Sequence, residues 1–109
     1  MNSETVGDVL VITLPTRMDA TGISAIEESF TQQIKDHNGK VLVDLQDVEF
    51  VASLALRLLL TQLKATQQTG GDLRLCGLRP QIAEVFRKSR FDTLFKIYPD
   101  RATALESFT

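Results

Sequence analysis

Apolar runs suited to buried strands alternate along this chain with stretches of helical spacing, and that alternation constrains its fold more than any other feature. The runs are residues 9–14 (VLVITL), 40–45 (KVLVDL), 73–76 (LRLC) and 95–98 (FKIY). The first is rich in β-branched residues, and Pro15 stops it because proline has no N–H to give a ladder. Its continuous apolarity asks for cover on both faces. Ile23, Ile26, Phe30 and Ile34 fall on one stripe of a helix near 22–36, with Thr21 or Ser24 placed to cap it and Asn38-Gly39 to end it. A second helix covers about 54–68, Pro80 opens a third with Ile82, Ala83 and Phe86 inward, and Asp100 caps a fourth with Ala102, Leu105 and Phe108 inward. Strand and helix in alternation imply an α/β domain with a mostly parallel sheet and right-handed crossovers.

A length of 109 residues suits one domain that buries a core without disulfides or metal. Lys and Arg number 12 against 14 Asp and Glu, a net charge of -2, so no global field draws the chain to phosphate backbones or anionic lipid. Direct nucleic-acid binding is not expected. The apolar segment 54–60 is broken by Arg57 and falls far short of the roughly 20 residues that cross a bilayer. The start, MNSET, lacks the basic and apolar regions of a secretory signal, so a cytoplasmic protein without membrane insertion is expected.

Catalytic chemistry has little to stand on, and the chain is not expected to be an enzyme or to carry a cofactor or metal. His37, the only histidine, sits in a polar KDHNGK turn without metal-ligand spacing. The TGGD stretch lacks the spacing and following helix of a phosphate loop. Asp44 and Asp47 follow the second strand and could flank a site at the carboxyl edge of the sheet, but acids there more often serve turns. Arg79, Arg87, Lys88 and Arg90 suit the solvated end of the third helix, where cations complement the dipole. Cys76 reads as a small buried hydrophobe at a strand end.

The central helix carries more leucine than one face can bury. At 100° per residue, Leu56, Leu59, Leu60 and Leu63 form the stripe that packs on the sheet. Leu54 and Leu58 point the opposite way with Thr61, Gln62 and Ala65, so a neighbouring helix covers them or they meet a partner. Ser53 stands at the helix start, where a serine hydroxyl ordinarily caps the free N–H groups.

The order VLVDL, QDVEF, VASLALRLLL, then TGGDLRLCGLRPQIAEVFRKSRFDTLFKIYPDRATAL, resembles the STAS domain family, in particular bacterial anti-sigma-factor antagonists. LPTRMDA resembles that family's LTGELD stretch, with Met18 at the apolar position and Asp19 at the acidic one. The resemblance implies one STAS domain over 1–109, with a mostly parallel or mixed sheet of four to five strands and about four helices packed mainly on one side. The family pattern at the central helix runs hydrophobic, acidic, Ser, Ser or Thr, Gly, Leu, with the second hydroxyl as phosphoacceptor. Here Ala52 takes the acidic position, Ser53 the first hydroxyl, Leu54 the acceptor, Ala55 the glycine and Leu56 the leucine.

The resemblance thus implies an antagonist that binds a kinase-like, ATP-binding anti-sigma factor and frees a sigma factor, without the usual phosphoacceptor. Its contact set is Asp19, Ser53, Leu54, Leu58, Thr61 and Gln62. One alternative is phosphorylation at Ser53, and another is a STAS scaffold subunit of a transporter or sensory complex. A third is a small-ligand or nucleotide module at the sheet edge near Asp19 and Asp44, and homodimerisation stays open. The angular count predicts that Leu58→Asp spares the fold and weakens partner binding. Leu59→Ala is expected to cost about 2 to 5 kcal/mol through a core cavity, measured by urea denaturation.

Overall fold

A strand that no hydrophobic pattern announces opens the chain. In the computed structural model, which describes residues 1–109, β1 (Asn2–Val6) pairs antiparallel with β2 (Val9–Thr13) across a two-residue turn. Gly7, first in that turn, has φ 61°, the conformation for which a tight hairpin turn recruits glycine. All of β1 is exposed, so it shows none of the alternation that betrays a half-buried strand.

The remaining elements follow in order: β3 (Arg17–Met18), α1 (Ala20–His37), β4 (Lys40–Asp44), β5 (Phe50–Val51), α2 (Ser53–Gln68), β6 (Asp72–Cys76) and α3 (Pro80–Lys88). A 3-10 turn at Phe91–Thr93, β7 (Ile97–Tyr98) and α4 (Arg101–Ser107) complete the chain. The main sheet has five strands in the order β1-β2-β4-β6-β7, parallel throughout except at the β1–β2 edge. It is the mixed, mostly parallel sheet that the alternation of runs requires.

Side-chain alternation along the central strands assigns the two layers. Leu10, Ile12, Val41, Val43, Leu73 and Leu75 face α1, α2 and α3 in the main core. Val9, Val11, Leu42 and Cys76 face the other way, where Ala104 of α4 and Phe108 just after it cover them. Three helices therefore lie on one face and one on the other. The inward stripes of the last two helices differ in detail from expectation. Ala83 and Ala102 are exposed, and Ala104 takes the buried place on α4. These helices are short, and their neighbours decide which small residue turns inward.

The start of α1 corrects the expected cap. Asp19, ahead of both Thr21 and Ser24, is the N-cap, and its carboxylate accepts from the Gly22 N–H at 2.8 Å. Gly22 is required by close approach, since a Cβ there would lie 2.0 Å from the Arg17 carbonyl oxygen. At the other end Asn38 adopts the left-handed conformation expected of a C-cap.

One polar cluster ties α4 to the sheet. Asp44, 2% exposed at the end of β4, accepts from the Gln46 N–H at 3.0 Å and from Arg101 Nε at 3.1 Å. Arg101 also donates to Thr13 Oγ1 at 3.0 Å and pairs with Glu4, so one guanidinium joins β1, β2, β4 and α4. Arg101→Ala leaves the buried Asp44 carboxylate without its countercharge. We expect a loss of about 3 kcal/mol, the low end for breaking a buried pair because Arg101 is itself partly solvated, measured by chemical denaturation.

Candidate docking surface

Two very short strands build the surface on which most of the sequence candidates converge. Arg17–Met18 and Phe50–Val51 pair in parallel, with the Phe50 N–H donating to the Thr16 carbonyl at 3.3 Å and the Ala52 N–H to the Met18 carbonyl at 2.9 Å. Met18 and Val51 are buried, which pins this ribbon to the core. Since β3 leads into α1 and β5 into α2, the pairing sets the starts of both helices side by side.

Leu54 and Phe50 stand on this surface, 50% and 43% exposed, among the few large apolar side chains left open to solvent. The Arg17 guanidinium lies 5.1 Å from the centroid of the Phe50 ring and pairs with Asp19 at 3.1 Å. The Gly22 N–H, followed by Arg17, holds the Asp19 carboxyl below the usual carboxylate range. Asp19 is thus an anion that fixes the helix start. A groove of about 440 Å³ runs between α1 and α2, with Ile23 and Glu27 on one wall and Leu54, Arg57 and Thr61 on the other.

The sequence candidates divide on this surface. Ser53, Leu54 and Thr61 are exposed, and Asp19 is half-buried beside them. Leu58 and Gln62 are not open: Leu58 is 8% exposed within the main core, and Gln62 is buried with its Nε2 donating to Thr31 Oγ1 at 3.3 Å. Their direction away from the sheet is as the angular count gave it, but α1 packs there and makes them the floor of the groove. The expected exposure of Leu58 is therefore corrected.

Ser53 also departs from its expected part. Ala52 is the N-cap of α2 and offers no side-chain acceptor, while Ser53 occupies the first helical position and makes no capping bond. The offset follows from the β5 ladder, because the Ala52 N–H is bonded to Met18 and its extended backbone forms the last residue before the helix. Phe50, Arg17 and Arg57 are surface members that sequence reasoning passed over. An aromatic residue ending the polar QDVEF link was the available signal for Phe50.

Elsewhere the reactive groups are engaged or inert. His37 Nε2 lies 2.9 Å from the Asp8 carbonyl oxygen, and Arg79 and Arg87 pair with Glu49 and Glu84. Asp44 is spent on Arg101, and no group of three metal-ligating residues is assembled. Burial, aided by the Asp44 carboxylate, pushes the Cys76 thiol up to about 12, so it stays protonated at neutral pH as a packed hydrophobe. No helix is long and apolar enough to cross a membrane.

A mixed five-stranded sheet with helices on both faces and an exposed leucine at the start of α2 defines the class, an α/β domain. The STAS domain model matches residues 1–104, and the chain belongs to that family. It is 26% identical over 108 residues to BtrV of Bordetella bronchiseptica, named as an anti-sigma factor antagonist, covering 99% of this chain and 93% of the relative. The STAS-domain anti-sigma-factor antagonist structure from Planctomyces limnophilus has a TM-score of 0.88 at 26% identity, over 97% of this chain and 95% of that one. Phosphorylated SpoIIAA, described as a Bacillus cell fate determinant, shares the fold with a TM-score of 0.76 at 17% identity, over 99% and 98% of the two chains.

Leu58→Asp now carries the opposite expectation from the angular count. A carboxylate would be forced between α1 and α2 without a countercharge, so stability falls by on the order of 4 kcal/mol, read as a drop in the thermal midpoint.

Proposed function

We propose that this protein is an anti-sigma-factor antagonist that binds a kinase-like, ATP-binding anti-sigma factor through the start of α2 and so frees a sigma factor. The observation that carries the reading is Leu54, half exposed at the start of α2 and at the family's phosphoacceptor position. In an antagonist with a hydroxyl there, a phosphate brings a charge of about -1.5 to -2 into the contact, which an apolar interface rejects. Leucine accepts no phosphate. The contact then persists while ATP is present, and its apolar area favours the complex at all times. The domain acts as a binding module whose output is set by the abundance of its partner.

One observation favours a second reading. The Ser53 hydroxyl is exposed and not spent on capping, so it is open to a kinase one residue before the usual acceptor. Two features argue for the first reading. The acidic residue that precedes the hydroxyl in the family is Ala52 here, and the hydroxyl itself is displaced by one position, which on a helix turns it about 100°.

Affinity capture from the native cell tests the proposal. Wild-type protein is expected to retain a small ATP-binding anti-sigma factor, and Leu54→Asp to lose at least about tenfold of it with an unchanged thermal midpoint. Recovery of a transporter ATPase in its place, or equal retention by Leu54→Asp, contradicts it.

A further inference from the structure

We propose, resting on the docking reading above, that Arg57 sets partner specificity by taking a carboxylate from the anti-sigma factor, next to the apolar side chain that covers Leu54. Arg57 and Arg90 are the only arginines without a carboxylate within 4.0 Å. Arg57 is exposed, one turn beyond Ser53, and lines the groove beside Leu54.

Arg57 has no acidic neighbour on its own helix, since the residues three and four positions away are Leu54, Ser53, Leu60 and Thr61. It is the fifth residue of α2, one turn in from the positive N-terminal end. No acidic residue lies in the first turn to offset it, and Ala52 supplies no side-chain cap to the free N–H groups. The start of α2 therefore presents uncompensated positive potential next to its most exposed leucine.

The facing charges narrow the occupant further. Across the groove α1 presents Glu27, which makes no ion pair either within the chain and stands more than 4.0 Å from Arg57. The nearby Asp19 is held by Arg17 and the Gly22 N–H, and Glu49 by Arg79. Arg57 is thus the one cation of this surface left for an incoming acid, while Glu27 repels an acid set toward α1. The fitting segment carries an apolar side chain with a carboxylate on its α2 side. Planar, bidentate pairing makes arginine rather than lysine the residue for that contact.

Calorimetric titration of the captured anti-sigma factor tests this. Arg57→Glu is expected to weaken binding by about tenfold or more, Arg57→Gln by less, with both variants keeping the wild-type thermal midpoint because the side chain is solvated. Reversing the matching acid of the anti-sigma factor to lysine is expected to restore binding to Arg57→Glu. Unchanged affinity and unchanged salt dependence in Arg57→Glu, with wild type still binding, overturn the specificity proposal and leave the proposed function standing. If wild type does not bind the anti-sigma factor, both fall. Arg57 and Glu27 could also satisfy each other between copies, and a dimer seen by sedimentation and dissolved by Arg57→Glu would make the occupant a second copy, overturning the proposal.

Discussion

Strand β4 must be dry on both faces, and the rest of the structure follows from that. Val41, Leu42 and Val43 are fully buried, flanked by β2 and β6 in parallel register. A strand of that kind needs cover above and below, and short turns cannot join parallel neighbours, so the chain crosses over by helix. The crossovers supply α1 and α2 on one face, and α4 returns to cover the other. The Arg101–Asp44 contact fastens that last helix where the sheet ends. Each crossover also has to start near the carboxyl end of a strand. The β3–β5 ribbon brings two such starts together and thereby creates the surface carrying Leu54.

That surface differs from a core by small margins. Leu54 and Leu58 are one turn apart on the same helix, yet one is half exposed and the other nearly dry. Leu58 belongs to the main core together with Ile23 of α1, while Leu54 lines the groove and is left half open to solvent. Polar contacts at this end serve geometry: Asp19 caps α1 and is clamped by Arg17, which in turn lies over Phe50. The result is an exposed apolar patch with a charged rim.

Much of this was legible in the residues. Continuous apolar runs foretold the parallel strands, and the 3.6-residue stripe of Ile23, Ile26, Phe30 and Ile34 foretold the buried face of α1. The layer of four main strands therefore came from pattern alone. β1 stayed hidden because an edge strand exposed on both faces has no pattern to show, and β3 and β5 because two residues are too few to have a period. At the candidate site, the angular count gave the directions of Leu54 and Leu58 but not which of them a neighbouring helix would cover. The cap of α2 was misplaced for a related reason: the ladder to Met18, a long-range contact, decides where the helix begins.

In the proposed function, a phosphorylation switch has become a permanent apolar contact at Leu54. The most direct measurement is the affinity of the anti-sigma factor for this protein before and after incubation of the pair with magnesium and ATP, with intact-mass analysis of the recovered chain. Equal affinities and an unmodified mass are expected. Stoichiometric phosphate on Ser53 together with loss of binding would contradict it.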